Sequence, residues 1–578
     1  MNYRAGTDHA IHEAPHRGAG NDPLYAIKRA RLVLIAFIAG FCLIGLRLGQ
    51  LTLGGNGRVA NRPIEPDSAV MRPEITDRSG RLLATNVKVV SLYADPRKII
   101  DVDEAIELLT GHLPDLDAAR LRRALTMKNR AFVWLKRGIS PAEKTMLHDL
   151  GIPGMGFRDE IRRVYPMGRL GAHVLGFVDI DLRGLAGLEY YLDHRGRLFT
   201  ASLNDPNPDH HRPEAVKLAM DMRVQYALEQ ELLKAREKFS AAAAAGVVLD
   251  INSGEVIAMV SLPDFDPNDP TEAQGKDRIN RITGGVYEMG STMKAVTVAM
   301  ALDEGIGDFD TTYDASRPLR IGRRIIHDYH GKNRILSLPE VFIYSSNIGA
   351  AEMALEIGAD RQKAFLEKLG FFDKPRTELP ESASPLLPQR WGEIERATVA
   401  FGHGIAVEPL QLAVAGAALM NGGMLIAPTF LKRDKDIAKE PARRVVSAET
   451  SRKLRYLFRL DVLEGSAKKA DIEGYRIGGK TGTAEKVVDG RYVKTQRLAN
   501  FLGGFPMDDP RYCVLVILDN PQALAETYEF TTSGWNAAPT AGRVIARIAP
   551  MLGVVPKFDD DTAWPGNKPL DRAQPIAQ

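Results

Sequence analysis

The chain has 578 residues, 44% hydrophobic and 26% charged: too many for one ordinary domain, with ample apolar material for buried cores. Lys and Arg total 76 against 73 Asp and Glu, a net charge of +3, and no basic run carries interleaved aromatics, so nothing points to nucleic acid as a partner. The two cysteines, Cys42 and Cys513, lie in separate apolar runs and read as small packing residues, which excludes a disulfide framework and a cysteine metal site.

Taken in chain order, the first feature is a span over 32–53, unbroken apolar residues and glycine to Leu46 and then Arg47 followed by Leu-Gly-Gln-Leu-Thr-Leu. A helix of about 20 residues crosses the hydrocarbon core, and an arginine near the end can snorkel to the interface. Before the stretch, Arg4, Arg17, Lys28, Arg29 and Arg31 outnumber Asp8, Glu13 and Asp22. By the positive-inside rule, residues 1–31 are expected in the cytoplasm and the rest is expected to be exported. No clean small-x-small cleavage site follows, so a retained anchor is expected rather than a cleaved leader.

Residues 54–66 read as a linker. From about 68 to 215 short strand-like pieces are mixed with two helical stretches, Asp101–Leu113 and Pro114–Met127, and no side-chain grouping suggests catalysis. Asn204–Pro213 is a turn-rich boundary. A long amphipathic helix is expected from Leu218, then a hairpin from Ala245 to Ser261 turning at Asn252-Ser-Gly254. Helical segments fill much of 291–425. Strand-like pieces return at 476–488, 491–506 and 511–519, and a last helix spans 539–553. Strands at both ends with helices between imply a sheet assembled from distant segments. The tail, 556–578, is rich in Asp and Pro and is expected to be disordered.

Three short elements in the second half carry chemistry. Gly290-Ser-Thr-Met-Lys294 opens an almost wholly apolar segment, so Ser291 would sit at the head of a buried helix with Lys294 one turn on, on the same face. A serine hydroxyl needs a base, and a lysine in a dry pocket can have its pKa lowered enough to serve. Ser345-Ser-Asn347 offers a second hydroxyl for proton relay and an amide that can bond both the lysine and a substrate carbonyl. Gly478-Gly-Lys-Thr-Gly-Thr483 suits an edge strand that a substrate backbone approaches, with Lys480 for a carboxylate, Thr481 and Thr483 for hydroxyls, and Gly482 for close approach.

Each element alone reads as an ordinary cap or turn; the ordered trio does not. Ser466-Ala-Lys-Lys469 repeats the Ser-x-x-Lys spacing and reads as a solvated coincidence. Gly474–Thr481 satisfies a phosphate-loop pattern but lacks the apolar strand before it and the helix after it. His327 and His330 read as surface-loop residues. His403, between Gly402 and Gly404, suggests a tight turn near the cleft.

Ser291-x-x-Lys294, Ser345-x-Asn347 and Lys480-Thr-Gly482 resemble the three motifs of penicillin-binding proteins and serine β-lactamases. Arg72–Ala84, Tyr165–Gly176 and Gly187-Leu-Glu189 resemble pedestal motifs of the class B enzymes. The form of the second and third motifs is similar to the division-specific septal transpeptidases of the FtsI type, whereas elongation-specific relatives usually end the second motif in Asp.

The resemblance implies an α+β chain with a cytoplasmic segment (1–31), a single transmembrane helix (32–53), an elongated pedestal (60–215) and a transpeptidase domain (216–555). That domain would be an antiparallel sheet with helices on both sides. It implies a bacterial inner-membrane protein with a periplasmic catalytic domain. Ser291 would attack a D-Ala-D-Ala stem peptide and pass the acyl group to an amine acceptor. Lys294 would be the base, Ser345 the relay and Asn347 the substrate-amide contact, with Lys480, Thr481 and Thr483 on the terminal carboxylate. β-Lactams would acylate Ser291, and no metal or organic cofactor is needed. A membrane glycosyltransferase and other division proteins are implied as partners. A serine β-lactamase and a non-catalytic β-lactam sensor are rival readings of the same trio; the anchor and pedestal argue against the first, the intact trio and short cytoplasmic part against the second.

Overall fold

The structure is a computed structural model that describes residues 31–32, 34–43, 68–195, 199–202, 213–433, 442–488 and 490–558. The chain forms two units, 1–65 and 66–578. In the first, residues 34–43 are helical and exposed. Among the described residues no helix is long and apolar enough to cross a membrane, and the expected span, 32–53, runs beyond them. Most of the expected disordered tail also lies outside the described residues. Cys42 and Cys513 are both free thiols.

The second unit begins with a small sheet around the strand Leu82–Ala94, which pairs with Val133–Ile139 and Met155–Val164. Two helices pack beside it, Val102–His112 capped by Asp101 and Ala118–Leu125 capped by Asp117. These lie within the two stretches expected from apolar spacing. Under the sheet, Glu189 receives Arg72 at 2.6 Å and Arg163 at 2.7 Å, all three side chains fully buried. The short strand Ile75–Thr76, just after Arg72, then pairs in parallel with Val216–Lys217.

Beyond Val216 lies the larger part. The elements that frame its sheet and site are α1 (Met222–Lys238), β1 (Ala243–Asp250), β2 (Val256–Leu262), α2 (Lys294–Asp303), α3 (Leu338–Ile343), α4 (Asn347–Ile357), α5 (Pro409–Met420), α6 (Ala448–Leu463), β3 (Gly478–Val488), β4 (Arg491–Phe505), β5 (Tyr512–Asp519) and α7 (Ala537–Met551). The helix expected from Leu218 starts at Met222. Leu218 and Ala219 are extended because their amides bond Thr76 and Phe430, and Asp221 caps the helix.

The five strands form one antiparallel sheet in the order β3-β4-β5-β1-β2. Side chains alternate between its faces. Val248, Val260, Phe501 and Val514 meet α1 and α7, whereas Val247, Met259, Leu502 and Leu515 meet α2, α5 and α6. Burial on both faces explains why β5 is a nearly unbroken apolar run despite antiparallel pairing. β3 is the edge strand, as its glycine-flanked sequence suggests.

Candidate active site

Gly290–Met293 forms one 3-10 turn that runs into α2, whose residues 294–302 are all buried. Ser291 and Lys294 therefore stand one turn apart at the head of the buried helix. The Lys294 amine lies 3.1 Å from Ser291 Oγ and 3.0 Å from Ser345 Oγ, and donates to the Ser345 carbonyl. Burial first, and the charge of Lys480 second, hold its pKa well below the usual lysine range. A neutral amine keeps a lone pair, and turned toward Ser291 that pair can take the hydroxyl proton.

Ser345 sits between α3 and α4 with φ +57, a left-handed backbone that costs a non-glycine residue about 1–3 kcal/mol. Its amide bonds the Phe342 carbonyl, and the Ser346 amide bonds that of Val341. This turn brings both oxygens of Ser345 to Lys294. Ser346 caps α4 through the Gly349 amide, and Asp328 adds bonds to the Asn347 and Ile348 amides and to Ser346 Oγ. The loop carrying His327 and Asp328 is thus tied to the second motif rather than free. One expectation is corrected here. The Asn347 side-chain NH2 donates to the His327 carbonyl at 3.0 Å, and the Lys294 amine donates to Ser291 and Ser345 rather than to Asn347, because the capped turn directs Asn347 at the loop.

The third motif lies on β3, with Lys480, Thr481, Gly482 and Thr483 opposite Leu502, Phe501, Asn500 and Ala499 of β4. Its backbone meets the serine turn directly. A Cβ on Gly290 (φ +58) would fall 2.5 Å from the Thr483 carbonyl oxygen, and one on Gly482 would fall 2.4 Å from that of Met289. Asn500 Nδ2 bonds the Met289 carbonyl, and the Ser533 amide bonds Thr483 Oγ1.

Lys480 is fully buried, 3.5 Å from the equally buried Asp461 and 5.6 Å from the centre of the Phe342 ring. Burial pushes the lysine pKa down and the Asp461 pKa up; each partner's charge opposes the shift of the other. Ser466, exposed at the rim, bridges this pair to the rest of the motif. Its hydroxyl lies 2.5 Å from Thr481 Oγ1 and 3.3 Å from Lys480 Nζ, and it donates to Asp461.

The spacing of Ser466 to Lys469 is a coincidence, but Ser466 itself is part of the site, because the turn after α6 delivers its hydroxyl to the third motif. Lys469 instead lies over Trp535. The sequence signal was one step earlier, in an acidic residue, Asp461, between Leu460 and Val462 of a buried helix end. The phosphate-loop pattern is a coincidence too, since Gly478–Val488 is a strand and another strand follows it.

The arrangement joins an activated hydroxyl, a neutral-leaning amine, a relay hydroxyl and an edge strand bearing a paired cation. Residues 244–544 match the penicillin-binding protein transpeptidase domain, and residues 67–194 match the penicillin-binding protein dimerisation domain. The chain is 41% identical over 545 residues to a probable peptidoglycan D,D-transpeptidase FtsI of Caulobacter vibrioides, covering 92% of this chain and 90% of that protein. It is 31% identical to the peptidoglycan D,D-transpeptidase FtsI of Escherichia coli K12, over 84% of each. Among solved structures, penicillin-binding protein 3 of Mycobacterium tuberculosis, complexed with aztreonam, is similar with a TM-score of 0.65 at 24% identity, covering 85% of this chain and 98% of that one, a likeness of fold. The chain belongs to the class B penicillin-binding protein transpeptidases, which carry a dimerisation domain ahead of the catalytic one.

Proposed function

We propose that the chain is a septal peptidoglycan D,D-transpeptidase, anchored in the bacterial inner membrane by 32–53, with its pedestal and catalytic domain in the periplasm. The observation that carries the chemistry is the Lys294 amine held between the hydroxyls of Ser291 and Ser345.

Lys294 takes the Ser291 proton as Oγ attacks the carbonyl of the penultimate D-Ala. The oxyanion forms where the Ser291 and Thr483 backbones meet, and preorganised amides there lower the barrier. Ser345 passes a proton to the departing nitrogen, the C–N bond breaks, and the terminal D-Ala leaves. Lys480, Thr481 and Thr483 hold the carboxylate of the donor, and Asn347 orients its amide. An amine from a neighbouring stem peptide then displaces Ser291 and forms the cross-link. A β-lactam mimics the dipeptide and stays on Ser291 as the acyl ester. A membrane glycosyltransferase and other division proteins are the partners this reading calls for.

The test is mass spectrometry of the full chain in detergent after penicillin treatment. The expected adduct maps to the peptide holding Ser291 and disappears in S291A, with the thermal midpoint retained. An adduct elsewhere, or labelling of S291A, overturns the site; release of bound penicillin within seconds would make the chain a β-lactamase.

A further inference from the structure

The contacts around Lys294 and Lys480 account for the acyl donor but leave the second substrate, the amine, without a receiving group. A third segment reaches the serine turn. Gly402 is pressed against Gly290, so that a Cβ there would stand 2.2 Å from the Gly290 oxygen, and the Gly290 amide bonds the Gly402 carbonyl at 3.3 Å. His403 therefore follows one side of this contact as Ser291 follows the other.

The turn is braced from two directions. The His403 amide bonds the Thr398 carbonyl at 3.0 Å. Glu288, three residues before Ser291, accepts from the Gly404 amide at 2.8 Å and from the Tyr492 hydroxyl at 2.9 Å. The imidazole packs by Phe401 and Tyr492, with ring centres 5.4 and 5.8 Å away.

Two atoms in this cluster are incomplete. His403 Nδ1 and Glu288 Oε2 are buried and have no hydrogen-bond partner among the described residues. Such atoms are rare in folded proteins and call for an explanation. Burial, and then the charge of Lys294, push the imidazole pKa down to about 4, so the ring is neutral and keeps a free lone pair. The charged or titratable groups facing it are Lys294, Glu288 and Tyr492.

We propose that His403 is the acceptor-side base of this active centre, receiving the incoming primary amine through a ring nitrogen and taking its surplus proton. The proposal rests on the transpeptidase reading above. The amine arrives as an ammonium ion, and in a dry cleft its hold on the proton weakens for the reason that lowers Lys294. One proton passes to the imidazole. The freed lone pair forms the new C–N bond, and the ester carbonyl becomes a tetrahedral oxyanion. The bond from carbon to Ser291 Oγ then breaks, and a second proton passes from nitrogen through Lys294 to that oxygen. The imidazolium returns its proton to water. An amide and a free serine remain, and no other reactant is consumed.

The experiment separates the two half-reactions in the full chain held in detergent. Donor acylation is followed with a fluorescent penicillin; transfer is followed with an acylated thioester donor and D-alanine as the amine. H403N and H403Q keep a polar group near one or other ring nitrogen but cannot take a proton. At least one variant is expected to label within about threefold of the wild-type rate while transfer to D-alanine falls at least tenfold and hydrolysis of the acyl-enzyme is unchanged. Retained transfer in either labelled variant, or acylation lost in step with transfer in both, overturns the assignment. Failure of the underlying reading shows itself separately, as a wild-type chain that takes up no penicillin, and the assignment then falls with it.

Discussion

Lys294 has no exposed surface, and its charge is opposed both by burial and by Lys480. Acylation needs the neutral amine, so the rate should fall as pH drops through the depressed Lys294 pKa, well below 10.5. Removing the second cation should let that pKa rise. In K480M the acid limb of the pH profile of penicillin acylation should therefore move to higher pH, whatever the height of the profile; an unmoved limb would show that the two amines do not interact. Asp461 is the counterpart. D461A leaves Lys480 as a buried cation without its partner, and unfolding in urea should register a loss of about 3–5 kcal/mol. At this scale Ser291, Lys294 and Ser345 were legible because each is a reactive type at a fixed spacing inside an apolar setting, and Lys480 because glycines flank it. Asp328, Ser466 and Asn500 were not, because their roles come from loops and strands brought in from far along the chain.

At the scale of elements, the site depends on how closely two backbones can approach. The serine turn touches β3 at Gly290 and Thr483, where a single methyl would fall 2.5 Å from a carbonyl oxygen on a backbone already at φ +58. G290A should cut penicillin acylation at least tenfold and lower the thermal midpoint, because neither strand nor turn can yield without moving Ser291. A variant labelling at the wild-type rate would show that the contact is slack. The strands β4 and β5 could be read to within a residue and β1 to within two, because β-branched and aromatic residues bounded by turn residues mark them. The start of α1 could not. Its four preceding residues have helical spacing, and backbone bonds to Thr76, Phe430, Arg78 and Ile257 draw them away from the helix.

At the scale of the whole second unit, the pedestal sheet takes in the strand Val216–Lys217, which leads into the catalytic part. Arg72 is clamped under the small sheet by Glu189, and the chain then runs through Ile75 to pair with Val216, shortly before α1. E189A removes the carboxylate shared by two buried guanidinium groups, leaving Arg72 with Asp193 and Arg163 with no carboxylate among the described residues, and should cost about 3–5 kcal/mol. Because the clamp lies on the path into the catalytic domain, the temperature at which penicillin labelling is lost should fall together with the pedestal's melting temperature. Labelling that outlasts pedestal melting would show that the two parts unfold separately. The turn-rich segment expected as a boundary, Asn204–Pro213, lies almost wholly outside the described residues, and the joining of the two parts left no signal, since a two-residue parallel strand has no periodic trace.

The sheet is closed by segments from opposite ends of the catalytic part: β1 and β2 precede the serine turn, and β3 to β5 come after the last of the large helices below them. A ribosome therefore delivers the nucleophile long before the strand that shapes its cleft. A half-made chain is chemically mute, and antibiotic capture has to wait until residues near 519 have emerged and folded back.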